Sequence, residues 1–406
     1  MPQIKTAFGD VPVNLTLSNR AKNLKPSPTL AVTALAAELK AAGKDIIGLG
    51  AGEPDFETPE HIRAAAIQAI NNGQTKYTAV DGTPTLKQAI ITKFKRDNNL
   101  NYLPEEILVS CGGKHSFYNL AQALLDAGDE VIIPAPYWVS YPPMVELANA
   151  KAVILDCPQE QNFKLTPEQL EKAINKNTRM LVLNSPSNPT GAVYSLEEFK
   201  ALAEVIKKYP DLLIASDDIY EAIVWDTDPY CNILTAAPEL KEQTIILNGV
   251  AKAYSMTGWR IGYAAGPAKL IKAMKAIQSQ STSNPTSISQ AASAVALAGD
   301  QSCIQGMLDA FKQRHDAILP RLNQLNGVSC LPANGAFYLF PDFRKAIENT
   351  DGVKDDVEMA GMLLDKAGVA VVPGSAFGAP GFMRLSFATS LDNLNKALDR
   401  LEKALA

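Results

Sequence analysis

Lys252 and Arg260 stand eight residues apart in Asn248-Gly249-Val250-Ala251-Lys252-Ala253-Tyr254-Ser255-Met256-Thr257-Gly258-Trp259-Arg260. Lys252 follows the apolar run Thr244 to Leu247 and lies among small and apolar residues. Such surroundings disfavour an ammonium, lower its pKa and make the amine a better nucleophile for an aldehyde. Arg260 could hold a second, anionic group, so the pair suits a ligand with an aldehyde and a phosphate. Alone, a lysine after a strand is most often a solvated loop residue, so other segments must supply matching chemistry. Cys111-Gly112-Gly113-Lys114-His115 is a Gly-rich strand-to-helix turn, where free backbone N–H groups and a positive helix end could seat a phosphate. Asp217, in Ser216-Asp217-Asp218-Ile219-Tyr220, is an acid at a strand's carboxyl end, where ligand chemistry usually sits in an open α/β sheet. Trp138 could stack on a flat ring or pack in the core. Asn188 is a fixed donor in the rigid loop 184–191. Arg384 lies inside the apolar stretch Met383 to Phe387 and needs an anion, supplied by a salt bridge or by a ligand. Gly50-Ala51-Gly52-Glu53-Pro54-Asp55-Phe56 reads as a turn or as a close approach of backbone to something else.

The elements that must position these residues can be read from periodicity. A helix is expected over Thr29 to Ala42, stopping at Gly43, then a strand over Ile46 to Leu49. Thr58-Pro59, Thr83-Pro84 and Thr166-Pro167 each read as an N-cap followed by Pro at the first helical position. From Ile107 onward strands and helices alternate. Strands are expected at 107–110, 130–133, 151–155, 180–183, 212–215, 244–247 and 261–265, with a helix over Ser116 to Leu125 and a capping box Ser195…Glu198. After about residue 285 the pattern is mostly helical, with strand-like stretches at Ala336 to Phe340, Val369 to Val372 and Met383 to Phe387.

The bulk numbers exclude several classes. The chain has 406 residues, 47% apolar and 20% charged, as in ordinary globular proteins of two or three domains. A net charge of −5 offers no electrostatic footprint for nucleic acid. No run of 18 apolar residues predicts a membrane span, and Met1 to Asn19 does not read as a secretory signal, so a cytoplasmic location is expected. The five cysteines lack CxxC spacing and the three histidines are dispersed, so neither a disulfide framework nor a metal site is expected.

Taken together, the motifs resemble the fold-type I, pyridoxal-phosphate-dependent class I aminotransferases, in particular the bacterial and plant aspartate aminotransferase subgroup. They are AGEPDF at 51–56, TKY at 75–77, GGK at 112–114, PYWVSYP at 136–142, NSPSNPTG at 184–191, SDDIY at 216–220, AKAYSMTGWRIG at 251–262 and RLSFATS at 384–390. The resemblance runs from about Lys25 to the C-terminus. It implies a three-layer α/β/α large domain with a mostly parallel sheet over 55–300. A smaller α+β domain would combine an N-terminal segment, 1–54, with residues 301–406.

The resemblance also implies roles. Lys252 would form the imine with pyridoxal 5'-phosphate and shuttle the substrate proton. Asp217 would keep the pyridine nitrogen protonated. Asn188 and Tyr220 would donate to the ring's phenolic oxygen, and Trp138 would stack on the ring. The phosphate would rest on Gly113, Lys114, Arg260 and Tyr77 of a partner subunit, which implies a homodimer with shared sites. Gly249 stands where many members carry a phosphate-binding serine, which shifts weight to Arg260, and Asp218 stands where Asp-Glu is commoner. Arg384, with Gly52 and Asn188, would bind the α-carboxylate, and Trp138 would also contact the substrate. Lys114, with Ser27 and Thr29, would meet a distal carboxylate, which favours aspartate, glutamate and their 2-oxo acids. Prephenate remains open as a second amino acceptor. A C–S lyase on the same scaffold and a regulator with an aminotransferase-like domain are the alternatives.

Overall fold

The structure is a computed structural model that describes residues 15–24, 28–225 and 230–406. Among these residues twelve strands form three sheets. They are β1 (Ile47–Gly48), β2 (Ile107–Ser110), β3 (Glu130–Ala135), β4 (Lys151–Asp156), β5 (Thr178–Asn184), β6 (Leu213–Asp217), β7 (Thr244–Gly249), β8 (Gly262–Ala265), β9 (Tyr338–Leu339), β10 (Val369–Ala370), β11 (Val372–Pro373) and β12 (Met383–Ser386). The large sheet has the order β2-β8-β7-β6-β5-β3-β4. Its strands run parallel except β8, which is antiparallel to both β2 and β7.

The near-continuous apolar runs explain why this sheet is buried on both faces. Every residue of β2, β7 and β8 is buried, while the edge strand β4 alternates toward solvent. One core, with Ile90, Phe94, Leu181 and Ile246, covers one face; another, with Phe117, Leu120, Val131 and Met180, covers the other. From β3 the chain turns outward to β4, then returns past β3 to β5 and β6. That reversal opens a crevice at the carboxyl ends of β3 and β5, the usual ligand position in such sheets.

A third core joins Ile47 and Leu49 to residues of the C-terminal third, among them Phe311, Phe337, Phe343, Leu385 and Phe387. β1 pairs in parallel with β10, Ile47 opposite Val369. The loop after β1 is therefore tied to the C-terminal sheets. Arg314 reinforces the tie with two bonds to the Asp55 carboxylate, 2.7 and 3.0 Å, while Phe56 packs edge-on against Phe311.

The caps at Thr83, Thr166 and Ser195 form as expected. Thr58 does not cap. The helix there starts at Glu60 with no side-chain cap. The Thr58 hydroxyl instead donates to the Ser255 carbonyl at 2.6 Å and accepts from the Trp259 indole at 3.1 Å. The helix expected from Ser116 begins three residues earlier, at Gly113, because Gly112 takes φ +90° and turns the chain straight from β2 into the helix.

Candidate active site

A cavity of about 380 Å³ opens at the carboxyl ends of the central strands. Asp217 ends β6, Asn184 ends β5, and the segment carrying Lys252 leaves β7. β8 returns between β7 and β2, so Gly262 pairs with Gly249 on one side and Ser110 on the other. That pairing brings the Gly112-Gly113 turn, Arg260 and Lys252 to one rim. A Cβ on Gly262 would collide with the Gly113 backbone, and one on Gly112 with the Arg260 guanidinium. The backbone approach requires a glycine at 262, and φ +90° favours one at 112.

Gly249 also has a physical reason. A Cβ there would lie 3.0 Å from Gly262 Cα and from the Ile261 carbonyl, and 3.2 Å from Ile219 Cδ1. A serine at this position has no room without a shift of β8. Arg260 takes the left-handed conformation, φ +56°, a strained state for a non-glycine residue that clusters at functional sites. Its guanidinium donates to the carbonyls of Thr257 (2.9 Å) and Cys111 (3.2 Å), which aims it across the mouth of the Gly112-Gly113 turn. The first-turn N–H groups of the 12-residue helix from Gly113 lie beside it, so a guanidinium and a positive helix end converge on one anion-sized seat.

Lys252 Nζ donates to the Gly52 carbonyl at 2.5 Å and lies 5.8 Å from the Tyr220 ring and 5.9 Å from the Phe337 ring. Burial lowers its pKa to about 8, and the nearby charge of Arg384 acts in the same direction. Asp217 accepts from the Tyr141 hydroxyl at 2.5 Å and from the Ile219 N–H at 3.3 Å. Burial raises its carboxyl to about 6, against the lowering effect of these two bonds. A carboxylate so desolvated is stabilised by any cationic ring nitrogen that reaches it. Asn184 supports the arrangement by donating to the Asp217 carbonyl and accepting from the Asn188 N–H, both at 2.9 Å.

Arg384 is 3% exposed. Its two terminal nitrogens donate to Asn188 Oδ1 (3.0 Å) and the Gly50 carbonyl (2.7 Å), while Nε has no partner. The rings of Tyr338 and Phe377 flank it at 4.6 and 5.0 Å. No carboxylate pairs with it among the described residues, so the salt-bridge reading of this strand arginine does not hold. Lys114 reaches over Trp138, 5.2 Å from the ring, and burial together with Arg260 lowers its pKa.

The cavity thus gathers Gly52, Gly113, Lys114, Trp138 and Asn188 with Asp217, Tyr220, Lys252, Arg260 and Arg384, and Thr29 lines it as well. Tyr77 is not among its walls. It is 92% exposed and borders a separate cleft of about 810 Å³ with Lys76, Thr78 and Val295. Ser27 lies outside the described residues. Sequence reasoning assigned no role to Tyr141, Asn184, Tyr338 or Thr33, all of which line the cavity. For Tyr141 the only signal was its place three residues after Trp138; nothing in the sequence marks its bond to Asp217, 76 positions away.

Residues 44–401 match the family model described as aminotransferase class I and II. The chain belongs to this family. An aspartate/prephenate aminotransferase of Nitrosomonas europaea is 60% identical over 97% of the chain and all of the relative. An aspartate aminotransferase of Geobacillus stearothermophilus is 52% identical over 96% of the chain and 98% of its own length. Among solved structures, the aspartate aminotransferase of Rhizobium meliloti superposes with a TM-score of 0.93 at 47% identity, covering 96% of this chain and 99% of that one. The Thermus thermophilus enzyme with maleate gives 0.91 at 44% identity, covering 96% and 100%.

The family's cofactor is pyridoxal 5'-phosphate, and the residues of this aminotransferase fit it. A lysine with a depressed pKa, a carboxylate with a raised one and a cationic anion seat line one cavity. The pKa of about 8 carries a prediction. Only the neutral amine attacks the cofactor's aldehyde, and at pH 7 about a tenth of Lys252 is neutral, far more than for an ordinary lysine. The rate at which cofactor-free enzyme recaptures pyridoxal phosphate should rise about tenfold per pH unit up to pH 8 and then level off. Stopped-flow absorbance checks this; a rate still climbing to pH 10 contradicts the depressed value.

Proposed function

We propose that this chain transfers amino groups between L-aspartate or L-glutamate and oxaloacetate or 2-oxoglutarate, with pyridoxal phosphate as cofactor. The observation that carries the reading is Arg384, a buried guanidinium near the Lys252 amine with an unpartnered Nε and, among the described residues, no carboxylate partner. A planar fork of this kind matches a ligand carboxylate with two parallel bonds. When bound, the cofactor supplies an aldehyde that takes up the amino group and a ring that accepts the electron pair left at the substrate Cα.

The chain's own residues do the rest. Arg384, with the Asn188 side chain locked against it, holds the α-carboxylate. Lys252 takes the proton from the substrate Cα and returns it. Asp217, fixed by Tyr141 and Asn184, holds a proton at the ring nitrogen. The Gly113 turn and Arg260 hold the phosphate, and Trp138 packs on the ring. Lys114, which lines the cavity as Thr29 does, meets the distal carboxylate. A cation there favours dicarboxylates over neutral side chains.

Prephenate is the second reading. It also carries two carboxylates, Thr29 and Lys114 line the same cavity, and the Nitrosomonas relative is named for both activities. Residues 55–300 are taken as the large cofactor domain, with 1–54 and 301–406 as the smaller one, supported by the core that joins Ile47 and Leu49 to the C-terminal third. The exposed Tyr77, beside a cleft of about 810 Å³, supports a homodimer in which this phenol serves the neighbouring site. A cytoplasmic location goes with this reading.

The test is a donor panel with 2-oxoglutarate, oxaloacetate and prephenate as acceptors, run on wild type and Lys114→Leu. Aspartate should be a good donor for wild type, and the variant should lose about 10- to 100-fold in kcat/KM for it, as expected for a hydrogen-bonded charge. Alanine should change little. No transfer from aspartate to 2-oxoglutarate by wild type would sink the substrate assignment, and release of ammonia and pyruvate from cystathionine would point to the lyase.

A further inference from the structure

Tyr338 touches both the substrate side and the cofactor side of the cavity. It is fully buried in β9, opposite Ser386 of the strand that carries Arg384. Its hydroxyl lies 2.8 Å from the Tyr220 hydroxyl, and its ring lies 4.6 Å from the Arg384 guanidinium carbon. Gly52 makes room for it: a Cβ there would stand 3.1 Å from the Tyr338 oxygen. Burial holds both phenols above their usual pKa, so each keeps its proton.

Two hydroxyls that share one hydrogen bond leave one proton free to point elsewhere. On the reading above, Tyr220 donates to the cofactor's phenolic oxygen, and the present inference rests on that reading. The Tyr220 oxygen must then accept, and the proton that faces it is that of Tyr338. We propose that Tyr338 is a positioning residue that donates to Tyr220, turns the Tyr220 proton toward the cofactor, and holds Arg384 flat for the α-carboxylate. A phenol that accepts a hydrogen bond becomes a stronger donor, because bonds in a chain polarise one another. The stronger donor stabilises negative charge on the phenolic oxygen, so the lysine-bound cofactor loses its proton at lower pH than it would without Tyr338.

The experiment is a visible-absorbance titration of the holoenzyme without substrate, for wild type, Tyr338→Phe, Tyr220→Phe and the double variant. Tyr338→Phe keeps the ring under Arg384 and should raise the titration midpoint by roughly half a pH unit, with KM for aspartate within about twofold of wild type. Tyr338→Leu, which also removes the ring, should in addition raise KM several-fold. In the Tyr220→Phe background, Tyr338→Phe should add no further shift. If Tyr220→Phe shifts the midpoint while Tyr338→Phe titrates like wild type, the inference falls and the reading of Tyr220 stands. An undiminished Tyr338→Phe shift in the Tyr220→Phe background also overturns it, because Tyr338 would then act by another route. A Tyr220→Phe enzyme that titrates like wild type overturns both.

Discussion

An enzyme with Lys252 replaced by alanine is expected to fold, to lose the visible band of the lysine-bound cofactor, and to lose at least about four powers of ten in kcat. Two functions disappear together. The first is the covalent hold on the cofactor. The second is proton transfer at the substrate Cα, worth about two to four powers of ten for a positioned acid or base. The fold should survive, because Nζ makes one hydrogen bond, to the Gly52 carbonyl. Far-UV circular dichroism tests the fold and single-turnover kinetics with bound cofactor test the chemistry. Small primary amines added to the solution should restore part of the activity, since they can move the same proton. A variant that turns over at even a few per cent of the wild-type rate would remove Lys252 from the mechanism.

Arg384→Leu is the second large effect, and it separates activity from stability. Leaving one partner of a desolvated, hydrogen-bonded charge pair alone costs about 3–5 kcal/mol, so kcat/KM should fall by roughly two to nearly four powers of ten. The loss should be similar for aspartate, glutamate and their 2-oxo acids, because all share the α-carboxylate. The unliganded protein should be no less stable, and its Tm should hold or rise. A guanidinium with an orphaned Nε and no counter-charge is a cost in the empty site, and an apolar side chain between Tyr338 and Phe377 removes that cost. A loss confined to one substrate, or a large fall in Tm with unchanged kinetics, would show that Arg384 is structural.

Much of this site could be read before any contact was known, for a physical reason. Lys252, Asp217 and the Gly112-Gly113 turn each sit at the end of a buried strand. Strands buried on both faces announce themselves as short apolar runs bounded by polar or glycine-rich turns. The helix caps at Thr83, Thr166 and Ser195 were legible because a cap acts over three residues. The failures are long-range. Thr58 has the cap pattern, but partners 197 and 201 residues away take its hydroxyl. Tyr141 and Tyr338 owe their places to partners 76 and 118 positions distant, which no local pattern encodes. The strands expected at 46–49 and 369–372 do form, but as β1 and as the separate β10 and β11, each of two residues, too short for a period to fix their bounds.

Four basic side chains line the cavity, Lys114, Lys252, Arg260 and Arg384, against one lining carboxylate, Asp217, with Glu53 close enough to act on Lys252. The whole molecule carries a net −5. The lining of the site therefore carries the opposite sign to the molecule as a whole. Low-dielectric walls concentrate field lines in such a cleft and raise the encounter rate of anions, with the greatest gain for doubly charged ones. Dissolved salt shortens the reach of this pull to about 8 Å at physiological ionic strength. Discrimination between aspartate and a monocarboxylic amino acid then begins during diffusion, before either touches Lys114, and it narrows as salt is added.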